Sequence, residues 1–171
     1  MSLSTGDVVL SRKGAGLFLK KALSLVADQY DYVFLDSSPT LNVFMVNAIA
    51  ACNYMVIPTQ TEHLALFGLE DMLKTIGMIS SSTRKKPLPY VIVPTMYHPD
   101  HLQSQFALKK LQKKYEHVSQ YVIPYDEKLI EACRAQEPVS VYSPNALSTT
   151  AYIGLVKAMM EQLPSDRQVE G

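Results

Sequence analysis

Hydrophobic and polar positions along the chain fall into two alternating rhythms. Four short runs are almost wholly apolar: Asp31–Asp36 (Asp-Tyr-Val-Phe-Leu-Asp), Tyr54–Pro58, Tyr90–Pro94 and the shorter Tyr121–Pro124. Runs this uniform suit strands of a parallel sheet covered on both faces, and each stops at a proline or an acidic turn, where a ladder should end. Between them lie stretches of helical period. Helices are predicted over Leu17–Ala27, Asn42–Ala51, Leu64–Ser80, Leu102–Tyr115, Lys128–Ala135 and Ser148–Leu163. In the third, Leu69, Met72, Leu73, Ile76 and Ile79 share one face; in the last, Tyr152, Leu155, Val156, Met159 and Leu163 do.

Strand–helix alternation predicts an α/β fold with a parallel sheet, here one domain over residues 4–169, with Ser80–Pro89 as an internal loop. Such sheets place ligands beyond the carboxyl ends of their strands. The loops after Leu35, Ile57, Val93 and Ile123 are therefore where function is expected.

Composition narrows this only a little. Of the 171 residues, 47% are apolar and 19% charged, which excludes a disordered chain. The formal net charge is zero, so no strong overall attraction to nucleic acid or anionic membrane is expected. Cys52 and Cys133 have no metal-type spacing and are expected to be small buried apolar residues in a reducing, cytoplasmic setting. No apolar run approaches a membrane span, and no signal peptide is visible. Met1–Leu3 and Glu170–Gly171 look like expression-vector residues, so the chain is expected to be a piece of a longer protein.

Several residues could carry chemistry. An aspartate ending an apolar strand, as Asp36 does, is how many nucleotide hydrolases hold magnesium, usually through water; it is as often a turn or helix cap. Pro124-Tyr125-Asp126 alone reads as a strand-to-helix turn with Asp126 as cap. Lys109, Lys110, Lys113 and Lys114 put four positive charges on one exposed helix side, and Arg84-Lys85-Lys86 form a second cluster. Both read first as solvated faces, although phosphate contacts need little more than charge and reach. His98-Pro99-Asp100-His101 offers metal-ligating atoms without a second ligand pair, so no metal site is expected there. Lys13-Gly14-Ala15-Gly16 is followed by Leu17-Phe18 and reads as a turn before a helix.

Taken in order, these segments resemble the ParA/MinD family of deviant-Walker partition and positioning ATPases over about Tyr30 to Leu163. Tyr30-Asp31-Tyr32-Val33-Phe34-Leu35-Asp36-Ser37-Ser38-Pro39-Thr40 is similar to the family's second switch, with Ser38 where the first of two prolines is common. Asn47-Ala48 and Ala51, then Pro58-Thr59-Gln60-Thr61-Glu62 and Ala65–Leu69, resemble its proline-x-glutamine-x-glutamate segment and following helix. Thr95-Met96-Tyr97 resembles the threonine-methionine-tyrosine turn of ParA proteins. Ile123–Glu127, Glu131-Ala132 and Pro138-Val139 resemble the late nucleotide-base loop and the helix behind it.

The resemblance implies a P-loop NTPase-like three-layer α/β fold, truncated at its N-terminus, closer to ParA/Soj than to MinD. It implies ATP and magnesium as cofactors of the full-length protein, with Asp36 on the metal side through water. Thr95, Met96, Pro124, Tyr125 and Asp126 would lie on the base side, and Gln60 and Glu62 near a dimer face. Implied partners are a second copy, a ParB-like protein and nonspecific DNA through the four lysines, with no membrane. The implied function is partitioning of plasmids or chromosomes, or positioning of cellular machinery, through ATP-dependent dimerisation.

Departures limit this. The family's lysine-glycine-glycine-x-glycine-lysine-serine/threonine loop is not in the sequence, so no hydrolysis and no strong nucleotide binding are expected of this chain alone. Tyr125 stands where many ParA proteins carry a basic residue, and Pro99-Asp100-His101 replaces an arginine-bearing turn. The polar Pro164–Val169 departs from the membrane helix of MinD proteins. The other reading is a natural non-catalytic binding module acting through a partner protein.

Overall fold

The structure is a computed structural model that describes residues 17–38, 42–83 and 87–163. The Gly14–Gly16 turn, Pro39-Thr40, the Arg84–Lys86 cluster, the C-terminal polar stretch and both proposed vector ends lie outside the described residues. In chain order the elements are α1 (Phe18–Ser24), a 3₁₀ turn (Ala27–Gln29), α2 (Val43–Ala51), β1 (Met55–Gln60), α3 (His63–Thr83), β2 (Tyr90–Thr95), α4 (Leu102–Lys114), α5 (Glu127–Ala135), α6 (Val139–Tyr142) and α7 (Leu147–Gln162). The described residues form two compact units. One holds residues 17–55 and 71–89, the other 56–70 and 90–163.

In the first unit, Asn42 starts α2 because its Oδ1 accepts the Phe44 and Met45 amides, both at 3.0 Å. Met45, Ile49 and Ala50 are buried on one side of that helix. Asn47 is buried with them, accepting the Leu19 amide at 3.1 Å and donating to the Val43 carbonyl at 2.8 Å, so its amide costs little. The expected strand at Asp31–Asp36 is not formed: residues 32–38 belong to no regular element, and Tyr32, Val33 and Phe34 are exposed. The described sheet has two strands, and this segment is in neither. Among the described residues no strand pairs with this run.

The second unit holds the α/β core. The Thr61 amide donates to the Thr95 carbonyl at 3.0 Å; in the first unit the Met55 amide donates to the Pro89 carbonyl, also at 3.0 Å. Both partners thus advance together along the chain, and β1 and β2 are parallel. Val91, Ile92, Val93 and Pro94 are all buried, as expected of a strand covered on both faces. Strand β1 instead alternates, Ile57 and Thr59 inward, Val56, Pro58 and Gln60 outward. Its Pro58 cannot donate to a ladder, which suits the edge β1 occupies among the described strands.

Tyr121–Pro124 does not become a regular strand. Two isolated parallel bridges, Ile92 to Val118 and Tyr97 to Pro124, flank it. From one bridge to the next β2 and its extension advance from 92 to 97, while the partner advances from 118 to 124. The extra residue makes a bulge, and Ser119, whose Oγ accepts the Tyr121 amide at 3.0 Å, turns the chain there.

Helix α7 buries Leu155, Ser148 and Thr149, while Tyr152 and Val156 of the expected apolar face are exposed. Its side toward the core is set by close approach: a Cβ at Gly154 would stand 2.2 Å from Cε1 of Tyr121. The cysteines also differ from expectation. Neither forms a disulfide, but Cys52 is half-buried and Cys133 exposed on the outer side of α5, where only Ala132 of that helix is buried.

Candidate functional site

Two loops meet at the carboxyl end of β2, in the second unit. The Ile123 amide donates to the Pro94 carbonyl (2.9 Å), the Tyr97 amide to Ile123 (3.2 Å) and the Tyr125 amide to Tyr97 (2.9 Å). This ladder brings Thr95-Met96 and Pro124-Tyr125-Asp126 together. Met96 sits at φ 52°, in the left-handed region. A non-glycine residue held there costs on the order of 1 kcal/mol and persists only where its surroundings fix it.

What fixes it is a buried polar relay. Thr61 Oγ1 lies 3.3 Å from the carbonyls of both Thr95 and Met96 and 2.6 Å from Ser104 Oγ, and Ser104 Oγ accepts the His98 amide at 3.0 Å. Thr61 and Ser104 are both buried. The turn after β2 is thereby tied to the end of β1 and to the first turn of α4. Sequence reading singled out Gln60 and Glu62 and passed over Thr61 between them. The strand period was the available signal: positions 57, 59 and 61 face inward, whereas Gln60 and Glu62 are exposed.

Asp126 is the second anchor. It is the N-cap of α5, accepting the Lys128 amide at 2.9 Å, and its other oxygen accepts the Ser148 hydroxyl at 2.7 Å and amide at 3.2 Å. One carboxylate thus caps two helices, α5 and α7. The Ser148 hydroxyl holds the Asp126 carboxyl below its ordinary range, with further lowering from the Lys128 and Ser148 amides against the opposing effect of burial. The capping role read from sequence is realised, and Ser148, placed in the first turn of α7, is the residue that reading missed.

Beside it, Tyr125 stacks on His98 (centroids 4.4 Å, 24°), and His98 stacks on His101 (4.4 Å, 14°). One face of the Tyr125 ring is therefore taken, and the two imidazoles lie flat on each other instead of converging on an ion. Among the described residues no group of three His, Cys, Asp or Glu could hold a metal. An open hollow lies over Tyr125, Asp126, Lys128 and Leu147, at the N-termini of α5 and α7.

Asp36 lies exposed in the first unit, outside any element. Of the four lysines, Lys114 binds Glu70 at 2.5 Å, and that carboxylate raises the Lys114 pKa. Lys110 lies over the Phe67 ring at 5.8 Å. Lys109 and Lys113 are exposed on α4.

A family profile described as AAA domain matches residues 1–88. The chain belongs to this family. Its kin are the ParA/Soj-like partition ATPases. It is 31% identical to the chromosome-partitioning ATPase Soj of Treponema pallidum over 145 residues, 84% of this chain and 57% of that protein. It is 29% identical to the sporulation initiation inhibitor protein Soj of Bacillus subtilis over 140 residues, 81% of this chain and 55% of the relative. Among solved structures, cobyrinic acid a,c-diamide synthase from Mycobacterium smegmatis with bound ADP and magnesium superposes with a TM-score of 0.72 at 24% identity, covering 92% of this chain and 57% of that one. The fold is P-loop NTPase-like α/β of the ParA/MinD kind. The chain spans about half the length of the curated relatives it matches.

Proposed function

We propose that this chain supplies the base side and switch side of a ParA-like ATPase that partitions plasmids or chromosomes, or positions cellular machinery, through ATP-dependent dimerisation. The observation that carries the reading is the pairing of Tyr97 with Pro124. It juxtaposes Thr95-Met96 with Pro124–Asp126 beyond the carboxyl end of β2, where a parallel sheet presents ligands. The open face of Tyr125 would take the adenine and the fixed Met96 turn would border it. Asp126 would act through position, holding the loop against two helices. Asp36 would orient magnesium through water on the phosphate side, and Gln60 and Glu62, both exposed, would face the second copy. Phosphoanhydride hydrolysis is the chemistry the bound nucleotide supplies.

Calorimetric titration of the longer protein carrying a phosphate loop tests this: magnesium-dependent ATP binding is expected, and its absence sinks the reading. Asp36→Ala should impair nucleotide-dependent dimerisation there, and unchanged switching removes Asp36 from its role. The missing Gly-Lys-Ser/Thr loop favours one second reading, a non-catalytic module that acts by pairing with a partner ATPase. A natural start of translation close to Ser4, with no phosphate loop upstream, would select it.

A further inference from the structure

A different surface of the second unit has no part in this site. The first two turns of α3 and the last two of α4 run side by side in parallel, since Phe67 meets Lys110 and, one turn on, Glu70 meets Lys114. Between them lies a small cavity of about 50 Å³, lined by Leu66, Phe67, Leu111 and Tyr115 among others. The Tyr115 hydroxyl is buried, with the Lys114 ammonium its neighbour among the described residues. Around this groove the apolar side chains that should be covered are not. Leu64 is 80% exposed, Phe67 60%, and Leu102 and Phe106 69% each. On α4, Leu102, Phe106 and Lys110 follow one another at four-residue spacing and share a face; on α3, Leu64 and Phe67 do so at three. Among the described residues Lys109, Lys110 and Lys113 form no ion pair, while Lys114 is held by Glu70.

Exposed apolar side chains grouped on two helices and rimmed by lysines without a carboxylate partner among the described residues suit a docking surface. A solvated lysine face explains the cations but not Phe67 and Phe106. Phosphate backbone would use the charge and leave the rings in water. A groove between parallel helices also differs from the flat face by which an amphipathic helix lies on a bilayer. We infer that the α3–α4 groove binds an acidic amphipathic helix of a partner protein, its apolar residues entering at three- and four-residue spacing between Phe67 and Phe106 and its carboxylates meeting Lys109, Lys110 and Lys113. This inference is independent of nucleotide binding.

Selection of a random-peptide phage library on the immobilised 171-residue chain, without nucleotide, tests it. Enriched peptides should combine Asp or Glu with Leu, Ile or Phe at helical spacing. Binding of the synthesised peptides should fall about tenfold or more in Phe67→Ser and in Lys113→Glu. Both side chains are exposed, and an unchanged thermal midpoint verifies that the variants fold. Enriched peptides without acidic or periodic apolar character overturn the inference, as does binding indifferent to both substitutions. No peptide enrichment, with Phe67- and Lys113-dependent binding to phosphatidylglycerol vesicles or to duplex DNA, overturns it in favour of a membrane or a nucleic-acid surface.

Discussion

Two segments of this chain have nearly the same apolar texture and opposite fates. Tyr32–Leu35 and Val91–Pro94 both read as strands buried on two sides. The second is buried at every position, with Ile92 at 0% exposure, and is paired with β1 on one side and bridged to Val118 on the other. The first forms no strand, and Phe34 is 91% exposed. Intrinsic preference is alike in the two; what differs is company. A β-run is stabilised by cross-strand and facing side chains more than by its own sequence, and among the described residues only the second run has such partners.

The largest expected effect tests the covered side of that contrast. Ile92→Ala removes a fully buried side chain from a strand bordered on both edges and should cost about 2–5 kcal/mol. The urea midpoint should fall sharply at unchanged slope; a loss under about 0.5 kcal/mol would mean that β2 is not the core of its unit.

Next is the packing behind the bulge. Gly154→Ala sets a methyl against the Tyr121 ring, which must move because the approach is far inside contact distance. Overpacking of this kind costs about 1–3 kcal/mol. Gly154→Ala combined with Tyr121→Leu should recover part of it, and a double variant no better than the single one would place the strain elsewhere.

Asp126 comes third. Asp126→Asn keeps one capping acceptor for the Lys128 amide but turns an NH2 toward the Ser148 amide, and should lower stability by about 1 kcal/mol at neutral pH. Its folded pKa is depressed, so its contribution is present above the unfolded value of about 3.9 and is lost as pH falls from there through the folded value. The parent chain should therefore lose stability below about pH 4 more steeply than Asp126→Asn. Parallel acid profiles would mean that the carboxylate charge adds nothing.

How much could be read beforehand follows the same physics. Six helices were legible because each carries its own period, and Asp126 announced its cap. The α/β class was legible from the alternation of strands and helices. The bulge was not, because an extra residue between two bridges is a property of the pair and not of Tyr121–Pro124. Nor were the Thr61–Ser104 relay and the Asp126–Ser148 contact, which join residues 43 and 22 positions apart. Short α6 was hidden for the same reason: Thr149 Oγ1, from α7, donates to the carbonyls of Val139 and Ser143 at its two ends.

The smallest expected effect is the most pointed. Phe34→Ser exchanges a large apolar residue of a predicted strand for a small polar one, which in a covered strand would cost several kcal/mol. With the ring 91% exposed, the loss of contacts is slight, and the change should stay within about 0.5 kcal/mol. Equal urea midpoints for the parent chain and Phe34→Ser are therefore expected, beside the large fall in Ile92→Ala. A fall comparable to that of Ile92→Ala would show that Tyr32–Leu35 finds a covering surface in solution, and the contrast between the two segments would collapse into two buried strands.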